Sequence, residues 1–196
     1  AAEFYGREEL VSRLTAAFAT SRKTEKGNFL ALVGPSGSGK SSVVKAGLIP
    51  ALRRGAVPGS EKWFIVEMSP SAHPFEELEA ALLRIAVNPP QSLLNQLQEN
   101  ERGLRRAVRR ALPDDASRLL LVIDQFEELF TQVESEEERQ HFLDSLTTAL
   151  SEPDNPLSVA LTLRADFYDR PLKYAGFGEL MRGNTEVILP LTPQEL

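Results

Sequence analysis

The sequence predicts an α/β fold whose parallel sheet is covered by helices on both faces, and three observations carry that prediction. Five short apolar runs alternate with stretches of helical periodicity along the 196 residues. A glycine-rich loop, Gly34-Pro35-Ser36-Gly37-Ser38-Gly39-Lys40-Ser41, joins the first run to a helical stretch. The third run, Leu119-Leu120-Leu121-Val122-Ile123, ends on Asp124. With 42% hydrophobic residues the chain can fill the core of one such domain.

The elements follow in order. A helix over residues 7–19 places Leu10, Val11, Leu14, Ala17 and Phe18 on one face. A polar link, residues 21–27, leads to the first strand, residues 28–33, and the glycine-rich loop continues as a helix over residues 41–48 with Val44 and Leu48 on one side. Gly, Pro and Ser in residues 55–61 separate this helix from a second strand at 63–68. A helix at 74–86 ends before Pro89-Pro90, and two shorter helical stretches cover 92–98 and 101–112. After the third strand, an acidic link at 134–138 leads to a helix carrying Phe142, Leu143, Leu146, Ala149 and Leu150. The fourth strand is placed at 158–163 and the fifth at 186–189, with no element assigned between them.

Composition narrows the classes of function. A formal charge of −6 disfavours nucleic acid and anionic membrane as direct partners. The absence of cysteine excludes disulfides, thiolate zinc sites and cysteine nucleophiles, and fits a reducing cytoplasm. No run approaches the roughly 18 apolar residues of a membrane span, and no signal peptide precedes Glu3. The chain starts without Met and stops at Pro193-Gln194-Glu195-Leu196, the look of a helix's first turn. The expectation is a domain cut from a larger protein.

The loop at 34–41 fits G-x-x-x-x-G-K-[ST], with the strand before it and the helix after it that the motif requires. Such a unit aims backbone N–H groups of Ser36, Gly37, Ser38, Gly39, Lys40, Ser41 and Ser42 into one concavity at the positive end of a helix. Lys40 would reach the β- and γ-phosphates of a nucleoside triphosphate, and the Ser41 hydroxyl would ligate Mg²⁺. Asp124, delivered by an apolar strand, would hold the same metal through a water. Gln125 then stands where a carboxylate is often found, and an amide is not a useful general base. Glu127 and Glu128 are therefore the candidates for orienting the attacking water, and either could instead favour a helix N-terminus electrostatically. Arg164, at the end of the fourth strand, either senses the γ-phosphate or pairs with Asp166 or Asp169.

Other patterns say less. Arg102, Arg105, Arg106, Arg109 and Arg110 share one helix face, which is either solvated or a docking surface for an acidic partner or a neighbouring protomer's nucleotide. His73 and His141 have no metal-like spacing; His73 is placed at a helix entry and His141 on the polar side of a helix.

Three strings together resemble one family: Phe4-Tyr5-Gly6-Arg7-Glu8, the segment from Leu121 through Asp124-Gln125-Phe126-Glu127-Glu128 to Phe130, and Leu161-Thr162-Leu163-Arg164-Ala165-Asp166-Phe167-Tyr168. The resemblance is to the NTPase module of STAND proteins, in particular the "novel STAND" group, often fused to WD40 or other repeats, with the related NACHT group close by. It implies a three-layer P-loop NTPase core whose five parallel strands run 5-1-4-3-2, an additional-strand arrangement that brings Arg164 to the γ-phosphate. Phe4, Tyr5, Gly6 and Arg7 would line the adenine pocket, and the acid three residues beyond the magnesium Asp would be Glu127. Residues 1–27 form the adenine-side helix and link, 28–189 the core, and 190–196 the start of a lid region. The implied activity is an ATP/ADP-operated, Mg²⁺-dependent switch with slow hydrolysis, working in signal transduction or defence. Its implied partners are the lid and repeat domains of its parent protein and a nucleotide-dependent homo-oligomer. Two rivals remain at this point: a P-loop kinase acting on a small substrate, and a non-hydrolysing scaffold stabilised by its nucleotide.

Overall fold

The structure is a computed structural model and describes residues 8–19, 28–87, 92–152 and 154–190. Its five strands are β1 Phe29–Gly34, β2 Phe64–Met68, β3 Leu119–Ile123, β4 Leu157–Arg164 and β5 Thr185–Val187. All neighbours pair in parallel, in the order β2-β3-β4-β1-β5. That is the expected order, with β4 inserted between the strands bearing Gly34 and Asp124. The helices are α1 Glu8–Ala19, α2 Lys40–Ser42, α3 Ile49–Arg53, α4 Pro74–Leu83, α5 Leu93–Glu99, α6 Gly103–Ala111, α7 Glu128–Thr131, α8 Glu136–Ser151 and α9 Ala175–Gly183.

The two-residue period of the strands makes three layers. Phe29, Ala31, Val33, Leu119, Leu121, Ile123, Leu157, Val159, Leu161 and Leu163 point to one face, against α4, α6, α8 and α9. Leu30, Leu32, Leu120, Val122 and Ala160 point to the other, against α1 and the helix that follows the glycine-rich loop. Burial on both faces explains why these strands read as unbroken apolar runs. Among the described residues, no helix is long and apolar enough to cross a membrane.

Four expectations are corrected. The helix after the glycine-rich loop runs on to Arg53, and its middle, Val43–Leu48, is π-helical, with Ile49 N–H bonded to the Val44 carbonyl. The acidic link at 134–138 is mostly helix: Ser135 caps α8, its Oγ accepting the Glu138 N–H at 3.1 Å, so Glu136, Glu137 and Glu138 form the first turn. There their charges oppose the positive end of the helix dipole. The chain between β4 and β5 is ordered as two 3₁₀ turns, Ala165–Phe167 and Pro171–Lys173, and then α9. His141 is half-buried, 5.0 Å from the Phe75 ring, rather than on a polar side. His73 does stand at a helix entry, before Pro74 of α4.

The arginine face belongs to the fold. Arg102 and Arg105 both pair with Glu152 after α8, and Arg106 pairs with Glu99 of α5. Arg109 donates to the Asp154 carbonyl (3.1 Å), and Arg110 to the Gln96 side chain (3.1 Å). These contacts tie α6 to its neighbours.

The Ser135 cap gives a direct stability expectation. Ser135→Ala should lower the stability of the chain by about 1 kcal/mol, the usual value of such a cap. Urea denaturation would read this as a lower midpoint with an unchanged slope; an unchanged midpoint would contradict it.

Candidate functional site

β1 ends in a loop that can exist only with glycine at particular places. A Cβ on Gly34 would lie 2.1 Å from the Ile188 carbonyl oxygen, because the chain after β5 returns to bond Ile188 N–H to the Val33 carbonyl. Gly39 has φ 84°, a left-handed conformation that lets the chain turn into α2, where Val43 N–H reaches the Gly39 carbonyl at 2.8 Å. Ser36, Gly37 and Ser42 are exposed, Gly39 and Ser41 half-buried, and Ser38 buried.

Lys40 opens α2 and is folded over the loop. Its Nζ donates to the Gly34 carbonyl at 2.9 Å and the Pro35 carbonyl at 2.8 Å, with the residue only 9% exposed. Burial pulls the ammonium below the ordinary lysine value against the field of Glu127, and Arg164 adds to the lowering. The ammonium is thus held at the glycine-rich loop, in the field of Glu127, Asp124 and Arg164.

β3 brings Asp124 to the same edge. Its Oδ1 accepts the Ser41 hydroxyl at 2.6 Å and the Thr162 hydroxyl at 2.6 Å, and Lys45 Nζ stands 3.3 Å from Oδ2. Burial would raise this carboxyl, but the hydrogen bonds from Ser41, Thr162 and Lys45 outweigh it and hold it below the ordinary aspartate range. The next residue, Gln125, has φ 54°, strained for a side chain of its kind. The turn it makes sends Phe126 into the core and separates the two glutamates. Glu127 accepts the Arg164 backbone N–H at 3.3 Å, on the Lys40 side of the turn. Glu128 instead accepts the Ser71 N–H at 3.1 Å, in the loop after β2.

Arg164 closes β4 directly opposite Gly34 in the strand register. Its Nε and Nη2 donate to the Asp166 carboxylate at 3.1 and 2.8 Å, and its Cζ lies 5.5 Å from the Phe167 ring centre. Of the two carboxylates expected beside Arg164, Asp166 forms the ion pair, while Asp169 pairs with Lys173. Lys40, Ser41, Asp124, Glu127 and Arg164 converge at one edge of the sheet, and Glu128 sits just beyond it. Phe4, Tyr5, Gly6 and Arg7 lie outside the described residues.

The donor set fits a small hard cation. Ser41 and Asp124 supply one hydroxyl and one carboxylate, held together at 2.6 Å. Among the described residues no cluster of three or more His, Cys, Asp or Glu forms an all-protein cage. Mg²⁺ typically takes one or two protein oxygens and completes its shell with phosphate and water.

Two residues of this site escape a motif-based reading. Thr162 is a β-branched residue inside a strand, where its type is expected anyway. Lys45 is one helical turn beyond Ser41 and pairs with both Asp124 and Glu67. The available signals were a hydroxyl within the otherwise apolar end of β4 and a lysine spaced four residues from Ser41.

Comparison with known proteins agrees with this geometry. The ORC2 protein of Aeropyrum pernix, solved in ADPNP-ADP complexes, superposes with a TM-score of 0.60 at 14% identity over 99% of this chain and 50% of its own. The ORC1 protein of Aeropyrum pernix in complex with DNA gives 0.61 at 21% identity, over 98% of this chain and 47% of its own. The chain thus spans about half the length of these structures, and the likeness is one of fold. No curated protein matches it. The family model described as "Novel STAND NTPase 1" matches residues 1–196. The chain therefore belongs, over residues 1–196, to the novel STAND NTPase 1 family of nucleotide-binding modules.

Proposed function

We propose that this domain is an ATP-operated, Mg²⁺-dependent switch that hydrolyses its nucleotide slowly, as part of a larger cytoplasmic signalling or defence regulator. The observation that carries the reading is the convergence of Lys40, Ser41, Asp124, Glu127 and Arg164 at the carboxyl ends of β1, β3 and β4. Ligands of open α/β sheets bind at this edge. In this reading the loop amides from Ser36 to Ser42 cradle the phosphates, and Lys40 neutralises their charge. Ser41 and Asp124 hold Mg²⁺, which when bound neutralises charge on the β- and γ-oxygens. Glu127 orients the attacking water and accepts its proton.

Arg164 is the group that distinguishes triphosphate from diphosphate. Its pair with Asp166 is exposed, so exchanging Asp166 for a phosphate oxygen involves little desolvation. Slow turnover follows from Gln125: the residue next to the metal-holding acid is an amide, and the water-orienting carboxylate lies a turn further on. Phe4 to Arg7 would line the adenine pocket, as the STAND resemblance implies. Partners in this reading are lid and repeat domains of the parent protein and further copies of it. Nucleic acid is disfavoured by the formal charge of −6.

Two readouts test the proposal. Adenine nucleotides should compete with a fluorescent ADP far better than GDP does; equal competition would contradict the adenine assignment. Phosphate release from ATP with Mg²⁺ should run below ~1 s⁻¹, slower than ordinary enzymes. Faster release, or transfer of the phosphoryl group to an added small acceptor in place of water, would favour an enzyme over a switch.

A further inference from the structure

β4 carries a buried polar side chain to which the phosphate-site motifs assign no task. Thr162 is 2% exposed and shares its sheet face with Ser158 and Ala160, toward the helix that follows the phosphate loop. The strand register explains its reach. Ile123 pairs with Leu161, so Asp124 and Thr162 are the next residues along adjacent strands. The Phe126 N–H then bonds to the Thr162 carbonyl at 2.9 Å, which pins the turn that follows Asp124 to the same residue.

The hydrogen-bond inventory fixes which way the hydroxyl points. Thr162 Oγ1 accepts the Gln125 N–H at 3.0 Å, and its single proton goes to Asp124 Oδ1 at 2.6 Å. Ser41 donates to that same Oδ1 at 2.6 Å, and Gln125 N–H approaches it at 3.2 Å. Three donors therefore converge on Oδ1. Among the described residues, Oδ2 faces the half-exposed Lys45 ammonium, at 3.3 Å. The carboxylate is thus turned so that one oxygen is used up inside the protein and the other is presented outward.

We infer that Thr162 is a positioning residue for the metal: it fixes the Asp124 carboxylate so that Oδ2 is the oxygen offered to the Mg²⁺–nucleotide. The inference rests on the functional reading above. Ser41 donates to the same oxygen, but in that reading its hydroxyl must also turn a lone pair to the metal, so its orientation answers to two demands. Gln125 contributes one long contact from a strained turn. Thr162, rooted in a central strand, is the rigid member of the three. Outer partners that orient a metal-holding carboxylate typically govern ten- to a hundredfold of metal affinity.

The test separates positioning from general structural support. ADP affinity is measured by calorimetry on the full chain, once with Mg²⁺ and once with a chelator, and the ratio defines the gain due to metal. Thr162→Val keeps the shape and removes the hydroxyl. It is expected to cut that gain about tenfold while leaving chelator-condition binding unchanged, and Thr162→Ser should restore the gain. If Thr162→Val does not fold, Thr162→Ala removes the same hydroxyl without a second methyl and carries the same expectation. A metal gain equal to wild type, or affinity lost equally with and without Mg²⁺, would overturn the inference alone. A wild-type chain whose ADP binding gains nothing from Mg²⁺ would overturn the functional reading and this inference with it.

Discussion

Glu127→Gln is expected to bind nucleotide as wild type does and to slow single-turnover ATP hydrolysis by about 10²–10⁴-fold, the usual contribution of a positioned general base. In the proposed reading the effect falls on this glutamate because of where the two side chains are held. Glu127 accepts the Arg164 backbone N–H at 3.3 Å and lies within the field of Lys40, at the edge where the phosphates would be held. Glu128 is committed elsewhere, to the Ser71 N–H at 3.1 Å. Ser71 has φ 51°, so Glu128 holds a strained turn after β2 in place. Glu128→Gln should therefore leave the hydrolytic rate close to wild type. Quenched single-turnover assays on both variants read the difference. An unchanged rate in Glu127→Gln with a collapse in Glu128→Gln would move the base one residue on.

The residues alone left the choice between the two glutamates open, with only the STAND resemblance pointing to Glu127, and the reason is local. Which of two adjacent carboxylates faces the loop depends on the left-handed turn at Gln125, and glutamine gives no hint of it. β3 was legible to the residue, because a run buried on both faces is bounded by Arg118 and Asp124, whose polar side chains mark its ends. The sheet order came from the STAND resemblance, since apolar runs alone do not say which strand lies beside which.

α9 was hidden by its own composition. Gly176, Gly178 and Gly183 argue against a helix, each costing about 1 kcal/mol relative to alanine. Tertiary packing reverses that preference: Phe177 stacks on Phe126 with ring centres 5.4 Å apart and meets Phe29 edge-on at 5.6 Å. Gly178 lets the helix close on the Leu172 carbonyl, which a Cβ would approach at 3.0 Å. Lys45 was hidden for a different reason. Its partners Asp124 and Glu67 come from β3 and β2, and only packing brings those strands beside the helix that carries it. The arginine face was visible as a pattern, but its partners Glu152, Glu99 and Gln96 come from other elements, and only packing pairs them.

Lys40→Ala tests whether the phosphate loop binds a nucleotide at all. The ammonium now rests on the carbonyls of Gly34 and Pro35, within the loop that would wrap the phosphates. Moving from two neutral carbonyls to phosphate oxygens replaces contacts in which only the donor is charged with contacts in which both partners are. Such a contact contributes about 1.5–3 kcal/mol, or roughly ten- to a hundredfold in affinity. The fold should survive, because the substitution removes a buried charge rather than stranding one. The deciding measurement is calorimetric titration of folded wild type and Lys40→Ala with a non-hydrolysable ATP analogue in the presence of Mg²⁺. Saturable binding by wild type, weakened at least about tenfold in Lys40→Ala, is the expected result; equal affinity in the two, or no binding by wild type, would contradict the assignment of this site.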